Sequence, residues 1–313
     1  MFTIDTIGGK PYYLFDPSVK NRYFSYVSFS PNTALDCFPA IKSKGTVRIF
    51  CMGGSTTVGF PYGPVGSFST FLRDRLKASY PTLHFEVVNL GMTATNSFTV
   101  LDLAQELLRY EPDLLVVYDG HNEFYGALGI ASRESLGQSR LLTLLNLKLI
   151  RFRTFQLLRL VFTSSVRSVQ PGTSSPESGT LMERLARDQH IPYKGKVFND
   201  ALSIFRSNLI DLVSLTQTYS IPLVLCTQAS NVRDLEPFVS TPMPELSDIQ
   251  RAEFDRLFDA GRKYRDSHQL DSALAFFNTA VIIDSNRADI RFAIAQCLDS
   301  LHRYVPALDH YVR

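Results

Sequence analysis

The sequence predicts an α/β fold: a doubly wound parallel sheet, followed by an α-helical repeat segment. Two patterns carry this expectation. From Val47 onward, short apolar runs alternate with stretches whose apolar residues recur at helical spacing, the layout of parallel βαβ units with right-handed crossovers. Beyond residue 251 the strand-like runs vanish and a 34-residue period appears.

Residues 1–45 are rich in aromatics and prolines and show no helical period, so an irregular lead-in is expected there. Val47–Met52 is the first expected strand, broken by Gly53-Gly54. Phe68–Ser79 is a helix with Phe68, Phe71, Leu72 and Leu76 on one face. Phe85–Leu90 is the second strand, ended by Gly91, and Phe98–Tyr110 the second helix. Asp113–Tyr118 is the third strand, ended by Asp119-Gly120. A long insertion, 124–196, precedes the fourth unit. That unit is a helix over Val197–Tyr219, with Phe198, Leu202, Phe205, Leu209 and Val213 inward, and a strand over Pro222–Thr227. The α/β domain is therefore expected over 46–250 and the repeats over 251–313. Within the insertion, Ser139–Arg167 is helical and leucine-rich; it carries Arg140, Lys148, Arg151, Arg153, Arg159 and Arg167 and no acid. It is either a lid or packing helix with a solvated basic face, or a segment that lies on an anionic membrane surface. Gln170–Gly179 reads as a flexible loop.

In the last stretch, Gly261, Tyr264, Ala273 and Phe277 are matched 34 residues later by Ala295, Leu298, Ala307 and Tyr311. Small residues recur where helices must approach closely, and aromatics where they fill the gap. Leu257, Ala260 and Ala280 fit the same scheme, which resembles the tetratricopeptide repeat, although Ser285 stands where that repeat commonly has proline. The second copy begins near Ala288 and is incomplete at Arg313, so the chain reads as a fragment of a longer protein.

Bulk properties exclude several classes. A formal net charge of +2 gives no whole-chain field for nucleic acid. No apolar run is long enough for a bilayer, and the first residues lack the layout of a signal peptide. The four cysteines have no metal-ligand spacing, and Cys51 and Cys226 lie in apolar strand-like runs, where a buried thiol behaves as a small hydrophobe, so neither a metal nor a cofactor is expected.

Three strand ends carry distinctive residues: Gly53-Gly54-Ser55-Thr56-Thr57, then Asn89-Leu90-Gly91, then Gly120-His121-Asn122-Glu123. In doubly wound sheets, ligands bind beyond the carboxyl ends of the strands where strand order reverses. With the order 2-1-3-4, these three turns meet around Ser55. A serine hydroxyl becomes a nucleophile when a base takes its proton. Acyl transfer then places negative charge on the former carbonyl oxygen, which fixed donors must meet. The backbone N–H groups of Ser55 and Gly91 and the side-chain amide of Asn122 are candidates, and Ser55 at a helix start gains from the dipole. No lysine follows for a P-loop, and no GxGxxG is present for a dinucleotide. The bland alternative is a tight turn with Ser55 as a helix N-cap.

The three blocks resemble those of SGNH (GDSL-type) hydrolases, which have a three-layer α/β fold. The resemblance covers roughly residues 45–240 and implies a Ser55 nucleophile with Ser55, Gly91 and Asn122 lining the oxyanion hole. GGS stands in place of GDS, and GHNE in place of GxND. A subset with GGSTT and GHNE blocks is more similar still, including Phe60-Pro61-Tyr62-Gly63 and Tyr125-Gly126-Ala127-Leu128. Gly54, Thr56, His121, Glu123 and Asn231 are expected to line the site. The family's base is a histidine in a DxxH block. Asp299-Ser300-Leu301-His302 fits those letters but falls in a turn of the second repeat, so the Asp/His pair is expected beyond Arg313 and this chain to hydrolyse little.

The expected substrate is an acyl ester of a carbohydrate or lipid, with a protein partner docked on the repeats. The alternatives are an O-acyltransferase and a catalytically inactive scaffold. The resemblance also suggests a membrane-anchored or extracytoplasmic full-length protein.

Overall fold

The computed structural model describes residues 1–24, 31–132, 135, 137, 139–157, 191–237 and 240–312. The expected loop over 170–179, Arg159 and Arg167 lie outside the described residues. The chain divides into two units, Met1–Gln228 and Ala229–Arg313. The division falls before the expected boundary at residue 250, so Asn231 belongs to the helical unit.

The first forty-five residues depart from the irregular lead-in expected of them. They hold β1 (Phe2–Ile7), β2 (Lys10–Phe15) and β3 (Cys37–Pro39), an antiparallel sheet in that order. The Gly8-Gly9 pair between β1 and β2 is a hairpin signal that the aromatic and proline content obscured. Pro11 and Pro39 sit near strand ends, where a missing N–H is tolerated. Phe15 and Phe38 are buried in the main core, and Phe2 meets Phe38 and Tyr110 edge-on at 5.1 and 4.8 Å. Each fully buried phenylalanine contributes about 1.5–3 kcal/mol.

The parallel sheet comprises β4 (Thr46–Gly53), β5 (His84–Asn89), β6 (Leu114–Tyr118) and β7 (Leu223–Leu225). Its order is β5-β4-β6-β7, the expected 2-1-3-4. Successive side chains alternate between its faces. Phe50, Met52, Val88 and Val117 enter the large core with Phe98 and Leu101 of α3 (Ser97–Leu107). Ile49, Cys51, Val87 and Val116 face α2 (Phe68–Ser79), against which Phe68, Leu72 and Leu76 pack. Phe71, expected on that face, is 64% exposed. Burial pushes the Cys51 thiol up to about 12, in keeping with a packing role.

A helix of four residues, α1 (Ser55–Val58), follows β4. In the insertion lies α4 (Arg140–Leu149), and α5 (Lys196–Thr218) leads to β7. The inward stripe of α5 is Ala201, Asn208, Leu212 and Thr216, whereas Leu202 is 43% exposed and Phe205, Leu209 and Val213 are half-buried. This corrects the expected face. Asn208 and Thr216 are buried because their polar atoms find partners inside, which a hydrophobicity pattern cannot register.

Two cations of the basic insertion have acidic partners in this unit. Arg140 pairs with Asp211 of α5, and Arg151 with Asp102 of α3 at 2.5 Å.

The second unit contains α6 (Asp248–Asp266), α7 (Leu270–Ile283), α8 (Ala288–Ser300) and α9 (Tyr304–Val312). Phe254, Leu257, Phe277, Ile290 and Cys297 form its core. A Cβ on Gly261 would stand 2.4 Å from the Phe277 ring, so the small residue lies where the aromatic one fills the gap. His268 and His302 end the first helix of each pair at φ +57° and +59°, backbone that favours glycine. No helix among the described residues is long and apolar enough to cross a membrane.

Candidate active site

Register brings the three turns together. Cys51 lies opposite Asn89, and Gly53 opposite Tyr118, so the carboxyl ends of β4, β5 and β6 are level. Gly53 has φ +150°, and a Cβ there would lie 2.0 Å from the Tyr118 carbonyl oxygen. Only glycine permits that close crossing of the two strand ends. Thr57 fastens the crossing by donating from Oγ1 to the same carbonyl at 3.2 Å.

Gly54, not Ser55, is the N-cap of α1, and Ser55 is its first residue. The Ser55 hydroxyl makes no cap bond. Ser55 is partly exposed, and neither its hydroxyl nor its backbone N–H has a protein partner among the described residues. The reading of Ser55 as a helix cap therefore has no hydrogen bond behind it. Thr56 is exposed beside it.

Asn122 approaches from the third turn and is 5% exposed. Its Nδ2 donates one hydrogen to the Thr95 carbonyl at 3.0 Å. A Cβ on Gly54 would stand 2.8 Å from that nitrogen, so the amide and its second N–H lie against the residue before the serine. The glycine of GGS thus leaves the space that Asn122 fills.

Gly91 occupies the second turn in a different way. Its N–H, expected as a free donor, donates to Asn89 Oδ1 at 2.9 Å. Asn89 in turn donates from Nδ2 to the Thr57 carbonyl at 2.6 Å and to Ser69 Oγ at 2.8 Å. A Cβ on Gly91 would meet Val58 N at 2.5 Å, so glycine here lets the second turn close on α1. Asn89 is the side chain that ties β5 to the serine helix, a role that the sequence, which placed it only in the second turn block, does not reveal.

The third turn is also acidic and buried. Glu123 is 4% exposed, and its carboxylate accepts from the Ser97 hydroxyl at 2.6 Å and the Ser97 N–H at 3.1 Å. Burial pushes its carboxyl up to about 7, against the lowering effect of those two bonds. Asp119 is pushed well above the usual carboxylate range, by burial first and by neighbouring Glu123 second. Its Oδ2 has no partner among the described residues, and its Oδ1 would lie 3.8 Å from a Cβ on Gly54. In the sequence Asp119 stands out only by its place in the turn after the third strand.

His121 is exposed and meets Tyr118 edge-on at 5.5 Å. Asn231 lies in the second unit, where its Oδ1 accepts from the Asp234 N–H at 3.1 Å. The DxxH letters form no pair: Asp299 bonds Arg233 at 2.6 Å, and His302 Nδ1 lies 2.8 Å from the Tyr304 hydroxyl.

No family model matches the chain, and no curated protein matches it. Solved structures that align with it include AlinE4, a SGNH-hydrolase family esterase, at 15% identity and a TM-score of 0.29, covering 70% of this chain and 98% of that one. The acetyl xylan esterase AlAXEase aligns at 14% identity and a TM-score of 0.27, covering 57% of this chain and 77% of that one. At such scores the α/β assignment rests on the strand order itself.

Proposed function

We propose that the first unit is a serine ester hydrolase of SGNH type acting on O-acyl groups of a carbohydrate or lipid. The observation that supports it is the Ser55 hydroxyl on the first residue of α1, without a protein partner among the described residues, with the buried Asn122 amide packed against Gly54. In this reading Ser55 Oγ attacks the acyl carbon, and the carbonyl oxygen becomes an oxyanion. The Ser55 N–H and the second N–H of Asn122 meet that charge. Each such donor contributes roughly 10²–10³ in rate. The proton that Ser55 Oγ gives up passes to the alcohol as it leaves, and water then cleaves the acyl-serine, its hydroxyl forming the acid and its proton restoring the serine. Gly91 serves by shape, because its N–H is held by Asn89.

The base is assigned to none of the described histidines, and slow reaction of this chain is expected. Intact-mass analysis after exposure to a fluorophosphonate tests the reading. Slow, single-site phosphonylation at Ser55 is expected, lost in Ser55→Ala and reduced in Asn122→Ala. An unlabelled Ser55 after prolonged exposure overturns it.

The second unit we read as tetratricopeptide repeats that dock a protein partner, on the shared phase of Gly261 and Ala295 and of His268 and His302.

A further inference from the structure

The third turn is zipped to the start of α3 by a run of bonds. The Ala127 N–H donates to the Ala94 carbonyl at 2.8 Å, Asn122 Nδ2 to the Thr95 carbonyl at 3.0 Å, and both Ser97 donors go to Glu123. Only Glu123 contributes a charged side chain to this run. The Ser97 hydroxyl, having donated to Glu123, accepts from Asn208 Nδ2 of α5 at 2.8 Å. Asn208 Oδ1 accepts from Arg140 Nε of the insertion helix at 2.8 Å, and Arg140 is held by Asp211. Glu123, Ser97 and Asn208 are all buried. The donors and acceptors of this chain have one consistent direction, from Arg140 through Asn208 and Ser97 to Glu123. An ionised Glu123 accepts at both oxygens. Protonation adds a donor to a carboxyl group whose two oxygens both accept from Ser97 and weakens those two bonds, so the chain of hydrogen bonds readjusts.

We propose that Glu123 is a positioning residue, whose carboxylate fixes the turn that aims the Asn122 amide at the oxyanion, and that Asn208 and Arg140 extend this support to the insertion. The proposal rests on the assignment of Asn122 as an oxyanion donor. It gives the Glu of GHNE a task distinct from substrate contact, and it makes the insertion helix part of the site's support. The charged groups around Glu123 are Asp119 on its own turn and Arg140 with Asp211 at the far end of the chain of bonds; His121 is exposed on the same turn.

The test uses the whole chain with 15N-labelled asparagine. The side-chain amide of Asn122 gives two peaks that Asn122→Ala removes. In the wild type these peaks are expected to move with pH, with a midpoint near neutrality; in Glu123→Gln they stay still. Arg140→Met and Asn208→Ala leave Glu123 in place and are expected to move the same peaks, so the test survives misfolding of a Glu123 variant. Phosphonylation of Ser55 is expected to slow roughly tenfold to a hundredfold in Glu123→Gln, short of complete donor loss, with the concentration dependence on the probe unchanged. Normal labelling with peaks indifferent to pH and to all three variants overturns the positioning role alone. Peaks that follow Glu123 in a protein never labelled at Ser55 overturn the oxyanion reading, and the positioning role falls with it.

Discussion

Gly54 is where the sequence departs from GDS, and replacing it by alanine measures how tightly Asn122 is packed. The φ of Gly54 is −82°, outside the left-handed region that favours glycine. The cost comes from the added methyl, which would stand 2.8 Å from Asn122 Nδ2. That is inside contact distance, and Asn122 is buried with its amide bonded to Thr95 at 3.0 Å. Making room lengthens or breaks that bond and leaves a buried donor unsatisfied, a loss of about 1–3 kcal/mol. Alanine is also a poorer N-cap than glycine, by about 0.5–1 kcal/mol. We expect about 2–3 kcal/mol in all, which lowers the melting temperature by roughly 4–12 °C for a unit of this size. A double-mutant cycle followed by thermal and urea unfolding isolates the collision. Asn122→Ala removes the atom that the methyl strikes, so the double variant should be about 1–2 kcal/mol more stable than additivity predicts. Costs that add to within about 0.5 kcal/mol would mean that the two residues do not press on each other, and the packing argument for GGS fails.

Further expectations follow from other parts of the first unit. Arg48 is 1% exposed, bonds Glu86 at 2.6 Å and the Tyr110 and Pro39 carbonyls at 2.7 and 3.0 Å, and lies over the Phe38 ring. Arg48→Met should cost about 3–5 kcal/mol, partly recovered by adding Glu86→Gln, as read by urea unfolding. Glu123 has its folded value raised from 4.5 to about 7, so the protonated form is favoured by folding. Its contribution is full below about pH 4.5 and is lost as pH rises through 7, about 3 kcal/mol in order of magnitude; Glu123→Gln should remove that slope from unfolding curves taken across this range. Ser55→Ala should leave the melting temperature within about 1 °C, because the hydroxyl has no partner to lose among the described residues. Added imidazole should accelerate phosphonylation of Ser55 if the base is absent from these residues; an unchanged rate, with loss of labelling in His121→Ala, assigns the base to His121.

Strand order and the positions of the three turns were legible because they follow from rules of wide reach. Apolar runs of strand length, glycines at their ends and right-handed crossovers leave few arrangements, and Val47–Met52, Phe85–Leu90 and Asp113–Tyr118 fall within a residue or two of β4, β5 and β6. The antiparallel sheet at the start was hidden for a local reason. Its strands are short, and Tyr12-Tyr13 interrupts the alternation that would expose them. The face of α5 was misread because two apolar stripes compete and the buried one contains Asn208 and Thr216.

The same blindness governs the site. Ser55 and Asn122 were found because residue type and turn position agreed. Asn89, Ser97, Asn208 and Arg140 were not, because each is explained only by its partner, and the partners lie 20 to 111 residues away in sequence. Pattern reading treats a polar residue as a solvated one. A buried polar residue is instead a statement about a contact, since leaving it unpaired costs more than the bond itself contributes. Around Ser55 such contacts fix every turn: Thr57 on Tyr118, Asn89 on Thr57 and Gly91, Asn122 on Thr95, and Glu123 on Ser97. Among the described residues the Ser55 hydroxyl has no protein partner, and that, more than the resemblance of its blocks, is what the proposal of a nucleophile rests on.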